Sequence, residues 1–285
     1  MPFSPDNRVP AAMPLPTQWI TPPADLTPYI NSVWRWDDRA ATEQPVYLPG
    51  VGAECFFHHG TPPSLDGRRL PRAYLLFNTG RALRFDGPVC FTALRIRAGR
   101  LRHLTSMPAE ALCDGLLPLE AVWGDAGSIL AERLAAIAPL QSQADVLFDF
   151  VREMRRHGPD IDGAFDTVLD TLYYNPNLRI QTLADRLGWS RRSLERRFAA
   201  AAGLPPKRFA RLARMQHVFR RVALSPDDGV FESALDIGYF DQAHFIHEVE
   251  DLTTCTPARI VAQWQGKPTF YNHPSRPPVG AWDGA

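Results

Sequence analysis

The sequence predicts an α+β chain: a β-rich N-terminal part, helices after it, and an all-α C-terminal third. Three observations predict this. Short apolar and aromatic runs punctuated by Gly and Pro occupy residues 26 to about 106. From about residue 107 the apolar spacing changes to a helical period. A faint internal repeat then places matching residues about 50 positions apart between 184 and 249.

In the β-rich part, Val33-Trp34-Arg35-Trp36, Val46-Tyr47-Leu48, Glu54-Cys55-Phe56-Phe57 and Tyr74-Leu75-Leu76-Phe77 read as strands. Leu94-Arg95-Ile96-Arg97 alternates apolar and charged residues, as a half-buried strand does. Short strands of this kind suit a small barrel or sandwich. Ile129, Leu130, Leu134 and Ile137 form one helical stripe, and Val146, Leu147, Phe150, Val151 and Met154 form another. His157-Gly158-Pro159 breaks the chain and is the expected domain boundary. Phe165, Val168, Leu169 and Leu172 begin the helical third, and Asn175-Pro176 stops their helix. The expected organisation is a loose segment over 1–25, a sensory domain over 26–158, an all-α domain over 159–265 and a flexible tail over 266–285.

A length of 285 residues suits two domains of ordinary size. The net charge of zero says nothing about partners. The four cysteines, at 55, 90, 113 and 255, form neither a Cys-x-x-Cys pair nor a zinc spacing, and read as thiols in a reducing cytosol. The N-terminus has no basic stretch ahead of an apolar core, so it is not read as a signal peptide. No run approaches the roughly 18 apolar residues of a membrane helix. The expectation is a soluble, cytoplasmic protein.

In the repeat, Ala184, Leu187, Gly188 and Trp189 recur as Ala234, Ile237, Gly238 and Tyr239, displaced by 50 positions. Leu194 and Phe198 recur as Phe245 and Val249, displaced by 51, so the second turn holds one inserted residue. This is the pattern of two helices crossing at a tight turn. The small Ala lets the helices approach, Gly ends the first in a left-handed conformation, and Ser190 or Asp241 caps the second. A joining helix over about 206–223 buries Phe209, Leu212, Ala213 and Phe219. From Arg186 to Arg221 there are eleven basic residues and one acid, Glu195. A local balance of +10 on helix-turn-helix units fits phosphate contacts on nucleic acid.

These residues resemble the AraC/XylS family of bacterial regulators. The resemblance lies in Leu183-Ala184-Asp185-Arg186-Leu187-Gly188-Trp189-Ser190, Leu194-Glu195-Arg196-Arg197-Phe198 and Gly203-Leu204-Pro205-Pro206-Lys207. It continues through Ala234-Leu235-Asp236-Ile237-Gly238-Tyr239-Phe240-Asp241-Gln242-Ala243-His244-Phe245 to Thr256-Pro257. It implies a sequence-specific regulator with one recognition helix per unit, each entering a major-groove segment of double-stranded DNA. Carried over, Arg192, Glu195 and Arg196 match base-reading positions. Arg191, Arg197, Lys207, Arg208 and the other cations of the joining helix match phosphate positioners. In the second unit the matching positions are Gln242, Ala243, His244 and His247. His247 stands where the family usually has Arg, Glu248, Glu250 and Asp251 make that end acidic, and Gln216 and His217 depart from the family's joining helix.

The N-terminal part resembles the cupin-like sensory domain of one AraC subgroup, through Pro22-Pro23, Leu26, Pro28-Tyr29-Ile30, Trp34, Arg95-Ile96-Arg97-Ala98-Gly99 and Leu119-Glu120-Ala121-Val122-Trp123-Gly124. The subgroup's usual turn is altered to Pro49-Gly50-Val51-Gly52. The resemblance implies a cupin-like barrel. Its aromatics, with no catalytic set beside them, suggest that it holds a small, largely apolar effector, and the apolar stripes of residues 127–157 suit coupling helices and a homodimer surface; the competing account is a ligand-free scaffold whose aromatics simply fill its core. An activator of this type would also meet RNA polymerase. No catalytic set, metal site or cofactor is expected. The alternatives are a metal-dependent cupin enzyme or a module that binds a protein partner. For an enzyme the histidines would be His58-His59 and His103, but the two-His-plus-Glu spacing is missing, and His58-His59 read as an exposed strand end.

Overall fold

The computed structural model describes residues 17–38, 47–77, 89–161, 163–224 and 229–264. The expected loose N-terminus and flexible tail lie for the most part outside them. Six strands form one antiparallel sheet: β1 (Thr17–Ile20), β2 (Ile30–Asp38), β3 (Ala53–His58), β6 (Ala73–Phe77), β7 (Val89–Ile96) and β8 (Gly115–Pro118). The spatial order is β1-β2-β7-β3-β6-β8, and the ribbon of β4 (Ser64–Leu65) and β5 (Arg68–Arg69) stands apart.

Both faces of the sheet are buried, which is why β6 is a continuous apolar run and β3 is buried along its whole length, Glu54 and His58 included, without an exposed alternate face. One face gathers Trp34, Phe56, Tyr74 and Phe91. Ala93 sits across from Trp34 on one side and Phe56 on the other. Its small side chain leaves room for the two large rings, and Phe56 meets Phe91 edge-on at 5.0 Å. The other face, with Val33, Cys55, Leu75 and Leu94, packs with the helices that follow. These are α1 (Ala109–Leu112), α2 (Leu119–Trp123), α3 (Asp125–Ala136) and α4 (Leu140–His157).

Two local expectations are corrected. Tyr47 makes only an isolated bridge and Leu48 is irregular, although both are buried; Val46 lies outside the described residues. Their apolar character answers to burial, with Tyr47 5.9 Å from Phe56, and not to strand pairing. On α3, Leu130 and Leu134 are buried but Ile129 is 55% exposed, because the helix presents less than the four-residue stripe to the core.

The C-terminal helices are α5 (Ala164–Tyr174), α6 (Ile180–Arg186), α7 (Arg191–Ala202), α8 (Pro206–Leu224), α9 (Val230–Ile237), α10 (Gln242–Thr253) and α11 (Pro257–Trp264). The helix break falls at Gly158, and α5 buries Phe165, Val168, Leu169 and Leu172. Among the described residues no helix is long and apolar enough to cross a membrane.

The N-terminal part meets the helical part through the segment after β7, through α1, and where Gln216 of α8 comes up against Gly50. The helices α3 and α4 pack with the sheet, and Arg155 near the end of α4 lies 3.5 Å from His103 in that segment. Arg100 pairs with Asp170 at 2.5 Å and Asp166 at 3.2 Å, and Arg102 and His103 reach Asp166 at 2.8 and 2.9 Å. A Cβ at Gly203, the left-handed cap of α7, would run into Cys113 just after α1.

Candidate nucleic-acid interface

Each helix-turn-helix unit is built by the same local devices. In the first, α6 ends at Gly188, whose φ of +65° turns the chain; Trp189 N–H then donates to Ala184 carbonyl at 3.0 Å. Ser190 caps α7 by accepting from Ser193 N–H at 3.2 Å. In the second, Gly238 has φ +103°, Tyr239 N–H donates to Ala234 carbonyl at 3.0 Å, and Asp241 caps α10 by accepting from His244 N–H at 2.7 Å. Ala184 and Ala234 are buried where the helices cross. The inserted residue of the second turn is Phe240, and at 87% exposure it is pushed into solvent so that Tyr239 and Asp241 can keep their places.

The inward face of α7 buries Leu194 and Phe198; that of α10 buries Phe245 and Val249. The opposite faces are open. Arg191, Arg192, Arg196 and Arg197 are exposed on α7, with Glu195 between them. Gln242, Ala243, His244 and His247 are exposed on α10. Lys207 is exposed at the start of α8 and Arg208 is half-buried beside it. Arg191 pairs with Glu195 at 2.9 Å along the helix, and Arg197 lies over the Trp189 ring at 4.4 Å, so both side chains are partly pre-positioned.

The other cations of the joining helix are placed differently from the sequence expectation. Arg214 grips both oxygens of Glu248 at 2.7 Å, and Arg211 reaches Glu248 at 3.1 Å and Asp251 at 2.5 Å. Arg221 pairs with Asp236 at 2.8 Å. The acids that made the end of α10 look hostile to DNA are therefore largely neutralised within the protein. Burial raises the Glu248 carboxyl, but hydrogen bonds from Arg214 and Tyr239 outweigh it and hold the group below the usual carboxylate range. The two departures in α8 face the N-terminal part or α5: Gln216 abuts Gly50, and His217 Nε2 lies 2.7 Å from Tyr173 carbonyl. Sequence reasoning missed this cross-link; its only signal was the break in the family pattern.

A helix-turn-helix domain model matches residues 183–263. This segment is an AraC-type helix-turn-helix domain. The AraC-type domain identifies the chain as a DNA-binding transcriptional regulator. No curated protein matches the chain. Solved structures similar to it include ToxT from Vibrio cholerae at 13% identity and a TM-score of 0.47, covering 87% of this chain and 98% of ToxT. They also include ToxT with an unsaturated fatty acid bound, at 12% identity and 0.45, covering 83% and 96%.

His58, expected at an exposed strand end, is instead buried in the aromatic face, 3.0 Å from Tyr74 hydroxyl. His59 reaches Thr92 at 2.9 Å, and His103 belongs to the Asp166 junction. Among the described residues no three His, Cys, Asp or Glu side chains gather as a metal set.

Proposed function

We propose that the chain is a ligand-responsive, cytoplasmic regulator that reads DNA with α7 and α10 and has no catalytic activity of its own. Arg192, Glu195 and Arg196 read base edges: Arg pairs bidentately with guanine, and Glu accepts from cytosine N4. Arg191, Arg197, Lys207 and Arg208 hold phosphates. Gln242, Ala243, His244 and His247 meet the second groove segment. The observation that carries this reading is that the named residues of α7 and α10 lie on the open faces of two capped helices whose opposite faces are anchored in one core, with Lys207 and Arg208 at the start of the helix that joins them. Residues 159–265 act as the DNA-binding domain, and residues 26–158 as the sensor.

The test is selection of DNA fragments by the full-length protein, followed by titration of the selected site. Affinity should fall steeply with salt as counterions return to the phosphates. Arg196→Ala should cost about 1–3 kcal/mol on the selected site and relax preference at one base position. Lys207→Ala should weaken selected and random DNA alike. A salt-insensitive interaction, or an Arg196 variant that loses both DNAs equally, would sink the assignment.

A further inference from the structure

The open faces of α7 and α10 differ in kind. The first offers Arg191, Arg192, Arg196 and Arg197. The second belongs to a helix with no lysine or arginine anywhere in it, and the exposed residues of its first turn are Gln242, Ala243 and His244. The Asp241 carboxylate beside them is engaged as the cap, where it accepts from His244 N–H. Just ahead of that cap stands Phe240, 87% exposed. Phe240 N–H donates to His244 Nδ1 at 3.4 Å, which holds the turn against the start of α10.

A lone exposed apolar side chain is common on protein surfaces and by itself needs no explanation. Here the place asks for one. The turn keeps the hydrogen bonds of the first unit with Phe240 extruded, so nothing in its fold calls for a ring and a polar residue would serve. The ring also stands at the N-terminal end of α10, and the N-terminal residues of the second helix in a helix-turn-helix are the ones that meet base edges. A helix without lysine or arginine has little phosphate attraction to offer, so its reading rests on contacts that need no charge. The major groove supplies these at A·T pairs. Adenine N6 and N7 take both ends of a glutamine amide, and the thymine C5-methyl takes an apolar side chain such as Ala or Phe. Phe240, Gln242 and Ala243 are such a set, in one exposed stretch of chain.

We infer that the DNA segment met by α10 is rich in A·T pairs, and that Phe240 is a specificity-determining residue there, with its ring packed on a thymine methyl. Ala243 meets a second methyl, and Gln242 takes an adenine of the same segment. The inference rests on the reading of α10 as a groove-entering helix and deepens it, from the helix to the class of base it selects. The whole site is then unequal. Arg192, Glu195 and Arg196 of α7 mark their segment with G·C pairs, and the cations around them hold phosphates. The segment under α10 is marked with A·T pairs and held by apolar burial.

Replacing thymine by uracil tests it on the full-length protein, because deoxyuridine keeps the base pair and removes only the C5-methyl. A selected site is remade with one thymine replaced at a time, on either strand, and each duplex is titrated. Loss of one buried methyl contact should weaken binding about fourfold. The sensitive thymines should cluster about one helical turn of DNA away from the positions that respond to Arg196→Ala. Their penalty should be the same at low and high salt, since no phosphate contact is lost. In Phe240→Ser, shown to be folded by thermal melts, at least one of these thymines should lose its effect while the others keep theirs. A parent protein indifferent to every methyl in that segment, or a Phe240→Ser protein with all the parent's sensitivities, would overturn the inference. A ring that inserts between base pairs, or one that docks another protein, gives the second of these results. Salt-dependent binding of a selected site with a flat methyl scan ends this inference alone and leaves the regulator reading standing. Failure to select any site ends both.

Discussion

At the scale of single residues, the decisive variable is whether a polar group meets a partner or solvent. His58 illustrates it. Burial, reinforced by the neighbouring His59 charge, lowers its pKa to about 3, so the folded protein holds it neutral. The unfolded chain protonates near pH 6.5, so this stability is fully present above 6.5 and lost progressively as pH falls toward 3. Between pH 6.5 and 5 the loss should be roughly 2 kcal/mol at 1.36 kcal/mol per unit. His58→Phe, in a cluster of Phe56, Tyr74 and Phe91, should remove most of that pH dependence in denaturant melts, even if its stability at pH 7 is lower. An unchanged pH slope would mean His58 protonates in the folded state. Glu248 is the counterpart in the helical part. Its two arginines make Glu248→Ala a change that strands buried positive charge, expected to cost about 3 kcal/mol, at the lower end for a broken buried pair because Arg211 is partly exposed. Thermal melts of the variant would check this, and a loss below ~0.5 kcal/mol would show that the cluster is not a structural clamp.

At the scale of elements, the two helix-turn-helix units show how far a pattern of residues determines a shape. The 50-then-51 displacement was enough to locate an insertion, and the structure shows that it is Phe240, extruded beside a turn whose hydrogen bonds match those of the first unit. An extruded ring contributes little burial, so Phe240→Ser should change folding stability by less than about 0.5 kcal/mol. Asp241→Ala, one residue on, removes the cap and should cost about 1 kcal/mol. Chemical denaturation of the pair would compare them directly; a larger loss at Phe240 than at Asp241 would mean the ring packs on something in solution. The helix α8 shows the limit of pattern. Its cations read as one basic surface, yet Arg211, Arg214 and Arg221 are drawn to acids on α9 and α10. The spacing could not reveal this because those acids lie 15 to 40 positions further along the chain.

At the scale of the whole molecule, the halves are joined by ion pairs centred on Asp166 and Asp170, and by the close seat of Cys113 against Gly203. Burial raises the Asp166 carboxyl, but the hydrogen bond from His103 and the charges of Arg100 and Arg102 leave it below its ordinary value. Its contribution is therefore present above pH 3.8 and lost only in stronger acid, as pH falls through the lowered value, so the junction should hold across the neutral range. Cys113 reports on it. Burial, with help from Asp114 and Glu110, raises its thiol to about 11, against an ordinary 9.0, which cuts the thiolate fraction by about a hundredfold. In a Cys255→Ser background, Asp166→Asn with Asp170→Asn should therefore speed thiol labelling of Cys113 by an order of magnitude or more. An unchanged labelling rate would show that the halves stay docked without those carboxylates.

The sequence by itself determined the fold class, the break at Gly158, the two capped helices α7 and α10 and which of their faces stay open. These follow from local rules: period, caps, and glycines that must turn left-handed. It also marked Gln216 and His217 as out of pattern without saying why. Only the tertiary structure decided that they face Gly50 and Tyr173, that His58 is core, and that Arg211 and Arg214 neutralise Glu248. Each of these depends on a partner far away in the chain, and the pairing of distant polar groups is set by how the elements dock, which no local spacing encodes.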